Sequence, residues 1–152
     1  MKKYIIIILV FALGFQIGCE PIMRNQISVD EPEEILVEVS SEDRAIIDRS
    51  ESLSDYVVEL FGIDDTATII LNDTALVSVI MAYDKKLTSD VREMITETVI
   101  NTDAGIKEVL ISDDEKMFFK TVDIIGSLMS GTPYDKHVGE IGKMMEKMNR
   151  RN

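Results

Sequence analysis

Thr66-Ala67-Thr68-Ile69-Ile70-Leu71-Asn72-Asp73-Thr74-Ala75-Leu76-Val77-Ser78-Val79-Ile80-Met81-Ala82-Tyr83 is the stretch on which the fold turns. Thr66–Leu71 and Thr74–Tyr83 are rich in β-branched residues, and Asn72-Asp73 between them is a two-residue turn of the kind hairpins prefer. Alternation places Ala75, Val77, Val79 and Met81 on one face of the second strand. Leu76, Ser78, Ile80 and Ala82 take the other, which is too apolar to stand fully in water. Either helices cover both faces of this strand, or one face exposes Leu76 and Ile80 and invites association.

Helical periodicity surrounds the hairpin. Before it, Ile46, Ile47, Leu53, Val57, Leu60 and Phe61 recur on one stripe, which predicts a helix over 42–62 with Gly62 as its stop. After it, Thr88 can cap a second helix whose buried stripe is Val91, Ile95 and Val99. Asn101 to Gly105 reads as a turn and Ile106–Ser112 as a third strand. Ser112-Asp113-Asp114-Glu115 has the form of a capping box. The helix it opens runs to about Ser130, with Phe118, Val122, Ile125 and Met129 inside. Gly131 ends that helix, and Thr132-Pro133 starts another, threonine as cap and proline in the first turn. That last helix presents Val138, Ile141, Met145 and Met148 on one face.

The order is α-β-β-α-β-α-α. It predicts an α+β fold: a small three-stranded mixed sheet with helices packed on one face. The second and third strands should be parallel, joined by a crossover through the second helix. Periodicity does not decide whether the first strand is central or at the edge.

Upstream of position 42 the texture differs. Lys2 and Lys3 precede an almost unbroken apolar run from Tyr4 to Leu13, and Gln16-Ile17-Gly18-Cys19 closes the segment. Residues 1–18 read as a signal peptide. Cysteine at the cleavage point makes it a bacterial lipoprotein signal, with Cys19 the first residue of the mature chain and the carrier of its lipid. Gln16 departs from the leucine usual at that position. An uncut anchor is the alternative, although Tyr4 to Gly18 is 15 residues where a spanning helix needs about 20. Plain secretion with a free thiol is another.

Residues 19–41 read as a mostly disordered acidic tether. From Asn25 to Asp43 there are seven acidic residues and no basic one, and like charges extend a linker. A short strand or helix near Glu33–Val39 is the competing reading. Residues 42–152 form the single domain. Cys19 is the only cysteine, so the domain has no internal disulfide and stands on its core. The chain carries 28 acidic against 16 basic residues, a net charge of −12. Such a surface repels nucleic acid and anionic lipid over most of its area, so stable membrane attachment would rest on the lipid at Cys19.

Four features together resemble the YhcN/YlaJ-type sporulation lipoproteins of endospore formers. They are the signal ending at Cys19, the hairpin from Ala67 to Val79, the strand Ile106–Ser112 running into Asp113-Asp114, and the restart Ser130-Gly131-Thr132-Pro133. The resemblance implies a small exported lipoprotein made during sporulation, associated with the forespore membrane or spore envelope, with some members linked to germination. It supplies no catalytic residues. The element order is also similar to that of domains that bind phospholipid or peptidoglycan layers, a likeness of fold alone.

The residues themselves suggest little catalysis. His137, the only histidine, stands without a nucleophile motif and reads as a solvated surface residue. One His and one lipidated Cys make no zinc site. Asp64-Asp65 and Asp113-Asp114-Glu115 lack the alternating oxygen ligands and glycine of a calcium loop, and read as turn and helix chemistry. No metal, cofactor or enzymatic activity is expected. The one local reversal of charge is the last helix, where Lys136, Lys143, Lys147, Arg150 and Arg151 face only Glu140 and Glu146. Lys143, Lys147, Arg150 and Arg151 are therefore the candidate partner or membrane surface. A basic amphipathic helix with methionines can lie on an anionic membrane or in a partner's groove; alternatively its methionines close the core and its charge suits a helix C-terminus.

The expectation is a lipid-anchored, non-catalytic envelope protein with a structural or adaptor role in sporulation or germination, its partners the membrane and spore cortex or envelope proteins. The alternative is a surface lipoprotein whose domain binds peptidoglycan or phospholipid head groups.

Overall fold

A computed structural model describes residues 39–150. The signal segment, Cys19, nearly all of the tether and Arg151 lie outside the described residues. Helix α1 (Ser41–Val58) leads into strands β1 (Ile63–Leu71) and β2 (Thr74–Met81). Helix α2 (Ser89–Thr102), strand β3 (Glu108–Ser112), helix α3 (Glu115–Met129), a 3-10 turn (Tyr134–Lys136) and helix α4 (Val138–Asn149) follow. The fold is α+β in the expected order, and the sheet is mixed.

The sheet order is β1-β2-β3, so β1 is an edge strand and β2 the centre. β1 and β2 are antiparallel, with Leu71 opposite Thr74 across the turn. Asn72 enters that turn at φ +57°, a left-handed conformation asparagine tolerates better than most residues. β3 runs parallel to β2, pairing Glu108 with Thr74 and Ser112 with Ser78. The Asp73 carbonyl ties β3 to the hairpin by accepting from the Lys107 and Glu108 amides at 2.7 and 3.2 Å.

Helices cover both faces of the sheet, not one. Ala75, Val77 and Val79 pack with Leu53 and Val57 of α1 and Ile95 and Val99 of α2. Leu76, Ile69 and Leu110 pack with Met117, Ile124 and Leu128 of α3 and Ile141, Met144 and Met148 of α4. Leu76 is fully buried and Ile80 half-buried. The two-sided apolar strand is thus a covered central strand, and the association surface conditional on its exposure does not arise. Burying β2 on both faces is what its uninterrupted apolar sequence demands.

Several local expectations shift. Helix α1, capped by the Ser40 hydroxyl accepting from the Asp43 amide at 3.0 Å, ends at Val58 instead of Gly62. The chain turns through Gly62 at φ +94°, which throws Phe61 off the buried stripe to 80% exposure; its ring stacks under the Lys85 ammonium at 4.8 Å. β1 begins three residues before Thr66 because Ile63 pairs with Met81 across an irregularity at Ile63/Asp65. β2 ends at Met81, and the helix α2 cap at Thr88 is as expected.

Helix α3 is capped by Asp114, whose carboxylate accepts from the Lys116 amide at 3.0 Å. The Ser112 hydroxyl instead accepts from the Asp114 amide at 3.1 Å, so the capping box does not form. The buried residues of α3 are Met117, Phe118, Thr121, Ile124 and Leu128. Val122 and Met129 face outward and Ile125 is half-buried. The helix is rotated by about one residue, roughly 100°, from the most apolar stripe, because the Thr121 hydroxyl meets Ser78 Oγ of β2 at 3.3 Å. At its end, the Gly131 amide bonds the Leu128 carbonyl and the Thr132 amide bonds that of Ser127, at 2.9 and 3.0 Å. This is a Schellman closure with Gly131 at φ +84°. Thr132 is thereby occupied and caps nothing. The chain passes through the 3-10 turn before α4 starts at Val138, and that delay sets the buried stripe as Ile141, Met144 and Met148. Val138 faces outward and Met145 is half-buried.

Candidate functional site

The concentrated positive charge of the domain lies between α3 and α4. Two cross-helix ion pairs show that these helices run antiparallel: Lys147 Nζ meets Asp114 Oδ2 at 3.3 Å, and Lys120 Nζ meets Glu140 Oε1 at 2.8 Å. Between them opens a groove of about 440 Å³ lined by Lys116, Lys120, Lys143, Lys147 and Glu140, with Met117 and Met144 beneath. Both methionines are at most 3% exposed, so the floor is part of the core.

Helical spacing places Lys116 and Lys120 one turn apart on α3, and Lys143 and Lys147 one turn apart on α4. In sequence, Lys116 falls between Asp114 and Lys120, and Lys143 between Glu140 and Lys147. Antiparallel packing therefore brings Lys116 and Lys143 together in the middle of the groove, with an ion pair at each end. Among the described residues neither makes an ion pair or a side-chain hydrogen bond. Glu140 is held below its ordinary carboxyl range, chiefly by the hydrogen bond and charge of Lys120 and further by His137 and Lys143, so it remains an ionised acceptor.

Of the residues expected to form a partner surface, Lys143 and Lys147 line the groove. Arg150 is exposed just past the end of α4, one turn beyond Lys147 on the same side. Arg151 and Cys19 are outside the described residues. The sequence reading missed Lys116 and Lys120. Their spacing matches that of Lys143 and Lys147, but only the antiparallel docking of α3 on α4 places the two pairs across one groove. The apolar face of α4 is committed to the core through Ile141, Met144 and Met148. It cannot also insert into a bilayer, so any contact with an anionic surface would run through the lysines.

His137 is half-buried, not solvated, and its Nε2 lies 3.1 Å from Ser127 Oγ. Ser127 sits inside α3, where neighbouring amides are engaged in the helical ladder and offer no oxyanion cradle. The pair fastens the α3–α4 connection. Asp65 accepts from the Thr66 amide at 2.8 Å beside the strand irregularity, and Asp114 caps α3, the turn and helix roles expected of them. Among the described residues no group of three or more His, Cys, Asp and Glu could hold a metal ion. Among the same residues no helix is long and apolar enough to cross a membrane.

The described domain is thus a three-stranded sheet covered on both faces, with a lysine groove between α3 and α4. The chain belongs to the sporulation lipoprotein YhcN/YlaJ family, whose model matches residues 39–149. The match takes in every element described above, from the residue before the α1 cap to the end of α4. As a member, the chain is a sporulation lipoprotein, exported and associated with membrane through lipid. No curated protein matches it.

Proposed function

We propose that this chain is a lipid-anchored, non-catalytic envelope protein of an endospore former, acting as a structural or adaptor element in sporulation or germination. In this reading Cys19 carries the lipid after removal of residues 1–18, residues 19–41 are the tether, and residues 42–152 are the presented domain. It works at the forespore membrane or spore envelope. Family membership supports the lipoprotein part of the reading. The observation that carries the binding role is the lysine groove: a net-negative chain of −12 gathers four lysines around one concavity. The same groove favours a second reading, in which the domain recognises anionic groups of peptidoglycan or of phospholipid head groups.

Metabolic lipid labelling of wild type and Cys19→Ser in sporulating cells, with fractionation, tests the anchor. Label on wild type alone, with loss of membrane or spore association in the variant, is expected. Equal retention of both versions sinks the anchored reading.

A further inference from the structure

We propose that the α3–α4 groove is a head-group site for an anionic glycerophospholipid of the phosphatidylglycerol type, with Lys116 and Lys143 clasping the phosphodiester and Glu140 accepting from the glycerol hydroxyls. The inference rests on the head-group reading above and commits it to a site and a chemistry.

The first argument is electrostatic. Lys116–Lys120 and Lys143–Lys147 are like-charge pairs one helical turn apart, an arrangement that destabilises each helix. Lys116 also sits in the first turn of α3, where the helix dipole disfavours a cation. Antiparallel packing then sets the two pairs against each other. Asp114 and Glu140 form close ion pairs with Lys147 and Lys120, and Glu140 reaches Lys143 only through a longer-range charge interaction, so Lys116 and Lys143 remain without a contact ion pair and suit an outside anion. Local rules broken in this concerted way mark function more often than folding.

The second argument is selectivity. A single phosphate between two ammonium groups matches the middle of the groove. Glu140 uses Oε1 for Lys120, and its other carboxylate oxygen is an acceptor suited to a hydroxyl and repellent to a second anion. The aliphatic stems of the lining lysines, over a nearly closed methionine floor, offer the glycerol carbons an apolar surface that a hydrated ion cannot use.

The third argument is location. Val39, where the chain enters the domain, packs on the same cluster as Met144, Met148 and Met145. The tether therefore joins the domain on the sheet face that α3 and α4 cover. A lipid on Cys19 would keep the groove within tether reach of one membrane and so raise the effective concentration of its head groups.

The test uses the full chain inserted in phosphatidylcholine vesicles, with per-lysine acetylation rates read by mass spectrometry. Soluble glycerophosphoglycerol, the deacylated head group, should slow acetylation of Lys116 and Lys143 while Lys85 and Lys86 are unaffected. Replacing part of the lipid with phosphatidylglycerol should do the same, and an equal charge of phosphatidylserine should do so more weakly. Lys116→Gln with Lys143→Gln should weaken glycerophosphoglycerol binding about twenty-five-fold, from about fivefold per lysine. Uniform protection of all lysines, equal protection by phosphatidylserine, or stronger protection by a muropeptide than by glycerophosphoglycerol overturns the proposal. Vesicle flotation of wild type against Cys19→Ser reports on the anchor separately. The soluble head-group arm is repeated on Cys19→Ser free in solution, so failure of the groove and failure of the anchor give different results.

Discussion

The Tyr134 hydroxyl donates to the Ile70 carbonyl oxygen at 2.6 Å, so a residue of the α3–α4 connection satisfies one backbone acceptor of β1, an edge strand of the sheet. Unpaired edge groups are otherwise templates for aggregation. Burial, and then the charge of Asp135, push the Tyr134 hydroxyl up to about 12 from its usual 10.0.

Tyr134→Phe should cost about 1 kcal/mol at neutral pH, the net worth of one hydrogen bond with an acceptor left unpaired. The raised folded pKa also gives the wild type an alkaline signature. Below pH 10 the phenol is protonated in both states and its full contribution is present. From 10 to about 12 the unfolded chain ionises first, so stability falls, by at most about 2 kcal/mol after allowance for partial exposure. Urea melts of both proteins from pH 8 to 12 should show the wild-type advantage shrinking across that window. A constant difference would refute the assignment.

Gly131 closes α3 at φ +84°, where an L side chain meets the carbonyl it follows. Gly131→Ala should destabilise by about 1 to 2 kcal/mol, read as a lowered thermal midpoint, with lysine reactivity in the groove unchanged.

Thr68 Oγ1 and Ser50 Oγ are buried without a protein partner. Thr68 is fully buried in an edge strand, and a desolvated, unbonded hydroxyl is unfavourable. Thr68→Val keeps the shape and β-branching while removing the polar atom. It should be neutral or stabilising by up to about 1 kcal/mol, whereas a measured loss would place a bound water or partner on the hydroxyl.

Arg49 Nε pairs with Asp103 Oδ2 at 2.7 Å, joining α1 to the end of α2. The Asp103 carboxyl is lowered from 3.8, first by the hydrogen bond from Arg49 and against a smaller opposing effect of burial. A lowered folded pKa adds stability above the unfolded value and loses it as pH falls through the folded one. Arg49→Gln should cost less than about 1 kcal/mol at pH 7, since the arginine is well exposed. That difference should vanish on acidification below 3.8, which paired acid titrations of stability would reveal.

Most of the elements were legible because their signals are local. The hairpin followed from β-branched runs around Asn72-Asp73, and the parallel third strand from a crossover helix between two apolar strands. The stop at Gly131 was visible because only glycine takes its positive φ cheaply, and Gly62 marked the turn into β1 although α1 itself ends earlier, at Val58. Legibility failed where a polar residue entered the core. Thr121 sits in the buried stripe of α3 because Ser78 waits across from it, and no hydropathy pattern contains that partner. The same error moved Val122 and Met129 inside when they face out.

The sequence by itself determined the class of the domain, its element order, its acidity and the family signature, since periodicity, turn chemistry and composition are properties of neighbours along the chain. Only the tertiary structure decided the central place of β2, the covering of both sheet faces and the lysine groove. Those depend on which helix packs against which, and at what rotation. Lys143 and Lys147 were a charged stripe until the shared core set α3 beside α4 and placed Lys116 and Lys120 opposite them, with ion pairs of 2.8 and 3.3 Å joining residues 20 and 33 positions apart.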